Sequence, residues 1–369
     1  MALMSTRIPL EFNGRTLRSQ DMERLLVEKH MRVCLNVDQG FETAVTIAPS
    51  EPILSEAAYH IMRSPAFDLP RSLLTELEHP GLDKGSRGEL IVMVLCLQAW
   101  DAAADRLQNR ITPVIDFIQE LITPEAHSEV FSSMPIRART LDEANRTLEA
   151  TFHESMMYFN HFIKLHDHEV INQKYLWRLI ARGAAGICAD FQFGIDVIIP
   201  FLYRDNKLQK NNVSAFFIQS KNDKAYQTTP QNYLFDMMDP YKIQFFDKDD
   251  KETTPVIRMV FALGSSTSCV AALKPAERTQ PSREHGFKAL FQANRYTAFD
   301  IWCAKASQET FRPIKEDIIF NKLLLRSGIF PEVYDTKNLE AIQIATRTMN
   351  PATSVNSAHW KQFVEETEP

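Results

Sequence analysis

Between Ala184 and Gly264 the chain reads as short apolar runs cut apart by polar, turn-forming segments: "AAGICADF", "GIDVIIPFLY", "VSAFFIQSK", "YKIQFF" and "PVIRMVFALG". Runs of this length, rich in Val, Ile and Phe, predict a block of about five strands. The segments before it carry helical spacing instead. "ILSEAAYHIMRSP" and "RSLLTELEHPG" predict helices stopped by Pro and Gly, and "GLDKGSRGEL" predicts a turn and a helix start. The helix that follows, "ELIVMVLCLQAWDAAADRL", is apolar enough in its first half to be buried nearly all round. Leu141 to Lys164 predicts a further helix, capped from "RT", and "EVINQKYLWRLIARG" another that stops at Gly183. After the strand block, "GFKALFQANRYTAFDIWCAKA" predicts a return to helix. The order helices, strands, helices predicts one sheet covered by helices, an α+β or α/β core. It divides the chain into a helical N-terminal region over 1–80, an α/β domain over 81–310 and a helical C-terminal region over 311–369 packed on that core.

Composition narrows the partners. The 369 residues are 44% hydrophobic and 24% charged, enough for a full core, and the formal net charge is -6. That balance argues against coating nucleic acid through bulk charge, but a local basic groove would still neutralise phosphates. The 5 cysteines include no CxxC pair, and Cys96 and Cys188 lie in apolar runs, which predicts reduced thiols in an intracellular protein, the nucleus included. The start "MALMSTRIPLEFNGRTL" lacks the apolar stretch of a signal peptide, and the longest apolar run, Leu90 to Trp100, is too short to span a bilayer. No membrane partner is expected.

The chemistry is concentrated at two strand ends. Asp196 opens an apolar run, and the next run closes on Gln219, Ser220 and Lys221. Buried strands avoid charge unless the charge is paired or at work. Side chains alternate along a strand, so Gln219 and Lys221 share a face. The segment "LYRDNKLQKNN" between the runs suits a hairpin, which would bring the three polar residues to one edge of the sheet. A carboxylate and an amide oxygen are the hard ligands that Mg²⁺ (or Mn²⁺) takes, and a lysine beside the metal can orient the attacking water or neutralise charge on phosphorus. Plainer roles exist for each: Asp196 as a turn residue, Lys221 reaching for water.

"GIDVIIPF" followed by "FFIQSKN" resembles the core of the PD-(D/E)XK restriction-endonuclease-like superfamily. It is similar in particular to the nuclease domains of Crinkler-type effectors and their relatives in fungal genomes, which tend toward a QxK ending. The resemblance is best over Ala184 to Lys221 and extends loosely to "GSRGEL". It implies a mixed sheet flanked by helices, Mg²⁺-dependent hydrolysis of DNA, and often a fused or associated NTPase domain. No G-x-x-x-x-G-K-[ST] occurs in this sequence, so such a domain would lie outside the chain. By the resemblance Asp196 matches the metal-binding aspartate, Gln219 the second acidic position and Lys221 the motif lysine. Glu89 matches the helix glutamate near the metal, with Glu169 as a rival. Gln219 departs from the Asp or Glu of the pattern and removes one charge. For Glu89 the plainer role is to complement a helix dipole from the first turn.

Other clusters carry less. "HDHE" (His166 to Glu169), with His153 and His161, fits no zinc spacing and reads as a solvated helix end. "FDKDDKETT" lacks the Gly and terminal Glu of a calcium loop and reads as a solvated hairpin loop, and "ALGSSTS" has too few glycines to cradle phosphate. Lys274 to Arg295 holds five basic residues, Lys274, Arg278, Arg283, Lys288 and Arg295, against Glu277 and Glu284. Together with Arg204, Lys207, Lys210 and Lys224 these form a candidate phosphate-contacting rim; an ordinary mixed-charge surface is the competing reading. The functional expectation is a Mg²⁺-dependent DNA endonuclease, with RNA and a homodimer left open. The alternative is a catalytically inactive relative that binds DNA or a partner protein.

Overall fold

Nine strands join one mixed sheet in the computed structural model, which describes residues 2–9, 17–30, 32–37, 39–40, 44–64, 66–76, 84–205, 207–275 and 293–325. In chain order the strands are β1 (Val33–Val37) and β2 (Ala44–Ile47), which pair only with each other, then β3 (Thr112–Pro113), β4 (Met156–Met157), β5 (His161–Lys164), β6 (Ala184–Ile187), β7 (Val197–Leu202), β8 (Val213–Ser220), β9 (Val256–Ala262), β10 (Cys269–Ala272) and β11 (Ala298–Ala304). Across the large sheet the order is β10-β11-β9-β8-β7-β4-β3, with β6 pairing the start of β7 and β5 pairing β6. The sheet is flanked by helices, an α+β arrangement as the order of elements predicts.

Strands β7, β8, β9 and β11 are buried, and mostly apolar, on both faces because both faces are covered. On one side Val197, Phe216, Ile218 and Met259 pack with Leu90 to Leu97 of the long helix Lys84–Leu107. On the other, Ile198, Ala215, Phe217 and Val260 pack with Leu176 and Leu179 of the helix Gln173–Arg182 and with Phe235 and Phe245. Met4, Ile8, Leu26, Ala58 and Met62 from the N-terminal segment share the first of these layers. Gly183 ends its helix in the left-handed region, φ 62, as the sequence predicts.

Direction decides where the site falls. β7 runs antiparallel to β6 and β8, whereas β8, β9 and β11 are mutually parallel, as are β5 and β6. The carboxyl ends of β5, β6, β8, β9 and β11 therefore lie along one edge, beside the start of β7. Crevices outside carboxyl strand ends are the usual ligand sites of open sheets.

Several elements differ from the sequence expectation. Leu141 to Lys164 is not one helix: Thr140 caps Leu141–Ala144 in a reciprocal box with Glu143, Thr147 restarts the chain as Leu148–Phe152, and the remainder is β4 and β5. Each threonine offers the backbone a local partner that competes with helix continuation, and β5 takes its ladder bonds from β6. "AFDIWCA" is the strand β11, not helix, because its short apolar run is buried between β9 and β10. "YKIQFF" is a turn: Phe245 N donates to Pro240 O at 2.8 Å, and its rings are buried against Phe217 without a strand partner. The acidic loop after it accordingly joins a turn to β9. Residues 276–292 and 326–369, including Arg278, Arg283, Lys288 and most of the expected C-terminal helical region, lie outside the described residues.

Two buried polar groups hold the layers. Arg258 on β9 and Asp300 on β11 face each other in register, both 1% exposed, with two contacts of 2.6 Å. His161, 0% exposed on β5, is not part of a solvated helix end. Its Nδ1 lies 2.7 Å from Asn160 Oδ1 and its Nε2 lies 2.9 Å from Ser50 Oγ. Asn160 Nδ2 donates to Glu56 Oε2 at 2.9 Å, which orients Oδ1 toward the ring. The ring is thereby set with Nδ1 donating and Nε2 accepting.

Candidate active site

The β7/β8 hairpin delivers Asp196, Gln219 and Lys221 to the carboxyl edge of the sheet. Its ladder ends at the pair Val197 and Ile218. Asp196 is the next residue out: its N–H donates to Ile218 O at 2.9 Å, and its Oδ2 accepts from Ser220 N–H at 2.7 Å. Gln219 continues the face of Phe217 and is 5% exposed, and its Oε1 has no hydrogen-bond partner. Lys221 N–H still donates to Phe261 O of β9 at 2.8 Å, so its backbone is held by the sheet while its half-buried side chain leaves the strand end. Lys221 and Asp196 are close enough for the ammonium to act on the carboxyl.

Burial pushes the Asp196 carboxyl above the ordinary range; the Ser220 N–H, Lys221 and Lys164 oppose it. A desolvated carboxylate and a buried amide oxygen that accepts no hydrogen bond are a place where a cation would offset a standing cost. The residues present therefore fit a hard divalent ion, with Asp196 and Gln219 Oε1 as ligands. Among the described residues no three His, Cys, Asp or Glu side chains gather as a metal site. The candidate set is thus one carboxylate and one amide, with Glu89 as a further acid whose charge reaches the neighbouring Cys188.

Glu89 is brought toward this edge. The long helix begins at Lys84, so Glu89 lies beyond its first turn, and the helix-dipole role loses its basis. The helix meets the end of β8 at Gly88, where an added Cβ would stand 2.4 Å from Ser220 Oγ. Glycine there lets the helix approach this closely without turning the Ser220 hydroxyl away. The Cys188 thiol, in the residue after β6, is pushed well up by burial, then by the carboxylates of Asp196 and Glu89, with Lys164 opposing. Cys188 N–H donates to Asp196 O at 2.8 Å, which places the buried thiol beside the start of β7. Glu169 is exposed, in a turn where its N–H donates to Asp167 Oδ1 at 2.8 Å.

The sequence reading missed Lys164. It ends β5 opposite Ile187 of β6, pairs with Asp190 at 2.8 Å and acts on both Asp196 and Cys188. "HFIK" ends in a lysine just as "FFIQSK" does, a signal hidden by the helical reading of the segment.

The basic rim divides. Lys224 is exposed, three residues beyond Lys221. Arg204, Lys207 and Lys210 lie in the β7/β8 connection, at the far end of the strands, about 20 Å from Asp196. Lys210 is held by Asp247 at 2.5 Å and Asp250 at 3.4 Å. Arg295, before the start of β11 and so on the far edge, donates to Lys248 O at 2.7 Å and lies over the Tyr241 ring. Arg283 and Lys288 fall outside the described residues.

Fold and site together define a protein with a helix-covered mixed sheet and an acid, an amide and a lysine at its carboxyl edge. The chain belongs to the family described as a domain of unknown function (DUF8736), whose model matches residues 1–301. No curated protein and no solved structure matches it. Among the described residues no helix is long and apolar enough to cross a membrane.

Proposed function

We propose that this protein is a divalent-metal-dependent nuclease that hydrolyses phosphodiester bonds, with DNA as its expected substrate. The observation that carries the reading is the meeting of Asp196, the unpartnered Gln219 Oε1 and Lys221 at adjacent ends of an antiparallel strand pair. The resemblance to the PD-(D/E)XK superfamily assigns the same residues. A bound Mg²⁺ or Mn²⁺ supplies an acidified water and neutralises charge at phosphorus. Asp196 and Gln219 hold it, and Glu89 is the further acid able to approach. Lys221 orients the attacking water and stabilises the negative charge that grows on the phosphate oxygens. Ser220 N–H fixes the Asp196 carboxylate, and Lys164 adds positive charge behind it.

The test is incubation of the purified full chain with plasmid DNA. Cutting is expected with Mg²⁺ or Mn²⁺, is absent in EDTA, and is lost in Asp196→Ala. One observation favours the alternative of an inactive binder: Gln219 stands where a second carboxylate would bring the charge a metal prefers. Salt-dependent DNA binding without cutting in either metal would establish that alternative. Equal cutting by wild type and Asp196→Ala would remove the site assignment.

A further inference from the structure

We infer that the loop between β6 and β7 uses Phe191 as a base-stacking side chain, so that the site takes unpaired nucleotides of a nucleic-acid strand. The inference rests on the nuclease reading and names the form of its substrate. Phe191 is 102% exposed, and its backbone sits at φ 60, a region that bulky residues rarely adopt. Both features cost free energy, and no contact within the described fold offsets them. Phe193, in the same loop, is 48% exposed.

The loop is pinned beside the chemistry. Asp190, next to Phe191, binds Lys164, which acts on Asp196. Gln192 N–H donates to Ala189 O at 3.0 Å, and its Oε1 lies 2.8 Å from His168 Nδ1. Gly194, at φ 81, is pressed so close to the helix Asn232–Met237 that an added Cβ would stand 2.3 Å from Met237 O. The ring is thus held out into solvent from a fixed loop ending two residues before Asp196.

More aromatic surface follows Lys221 in the chain. The Tyr226 ring centre lies 5.9 Å from Lys221 Nζ, and its hydroxyl lies 3.1 Å from that of Tyr233, itself 51% exposed. Duplex binding draws on rows of phosphate contacts, but Lys207, Lys210 and Arg295 lie at the far edge and the net charge is -6. Single strands bind through aromatic platforms beside a few cations, which is what this edge offers.

The experiment uses the full chain in EDTA, so that binding is read without cutting. A fluorescein-labelled single strand and the matching duplex are titrated by anisotropy against wild type, Phe191→Ala, Phe191→Leu and Phe191→Trp. The strand is expected to bind more tightly than the duplex. Phe191→Ala and Phe191→Leu should weaken strand binding about tenfold, whereas Phe191→Trp retains it. A 2-aminopurine in the strand should be quenched by wild type and not by Phe191→Ala. Equal strand affinity in wild type and Phe191→Ala, or preference for duplex, overturns the inference, and it does so alone if wild type still cuts with Mg²⁺. Absence of both binding and cutting removes the nuclease reading and this inference with it.

Discussion

Lys221→Ala is expected to lower Mg²⁺-dependent cutting by about 10²–10⁴-fold, the range a positioned proton-transferring or charge-stabilising side chain contributes. The fold should survive, because the lysine's place in the sheet is fixed by backbone: its N–H donates to Phe261 O at 2.8 Å whatever the side chain. Its side chain is partly exposed, and Ser220 N–H still holds the Asp196 carboxyl when the lysine is removed. Metal affinity should change little, because losing the cation removes a repulsion of the incoming ion and also removes a charge that favours ionisation of Asp196. Lys221→Arg should not restore the rate, because the planar guanidinium does not reproduce a compact ammonium at the end of a strand. Single-turnover rates with circular dichroism as the folding control separate these outcomes. A variant that cuts at the wild-type rate would show that Lys221 is merely a solvent-reaching strand end.

The second large effect is on stability against acid. Burial lowers the pKa of His161 from 6.5 to about 4, with the charges of Arg182 and Arg7 adding to it and the backbone carbonyl of Gly183, an acceptor for the protonated ring, opposing. In the unfolded chain the ring titrates near 6.5. Between those values the unfolded state binds the proton and the folded state does not, so stability falls as pH drops from about 6.5 to about 4 and levels off below. The loss attributable to this ring is on the order of 3 kcal/mol. His161→Gln, which keeps a neutral hydrogen-bonding side chain toward Asn160 and Ser50, should flatten that part of the curve while starting from lower stability at pH 7. Urea midpoints across the range measure it. Parallel curves for wild type and variant would mean that the ring opens to water and titrates freely.

The central hairpin was legible because β7 and β8 are short Val-, Ile- and Phe-rich runs bounded by turn-forming residues, and the pleat alone sends Gln219 and Lys221 to one face. Gly183 was legible as a stop for the same local reason. What the sequence hid depends on long-range pairing. β5 and β11 take their backbone partners from β6, β9 and β10, so their short apolar runs read as helix until the neighbours are known. Lys164 was hidden with β5. Gly88 reads as a glycine at a helix start, and only the distance to Ser220 gives it a purpose. Asp300 and Arg258 would each seem misplaced on a buried strand, and each is explained by the other across the ladder. The basic rim failed to gather around Asp196 for a topological reason: residues in a hairpin's turn lie a full strand length from its open end.

Crystals of the full chain soaked in Mn²⁺ and measured at the manganese absorption edge give the most direct test of the Asp196 and Gln219 site. The expected result is an anomalous peak in contact with the Asp196 carboxylate and Gln219 Oε1, absent in Asp196→Ala. A peak elsewhere in a protein that cuts DNA, or one that persists unchanged in Asp196→Ala, would contradict it.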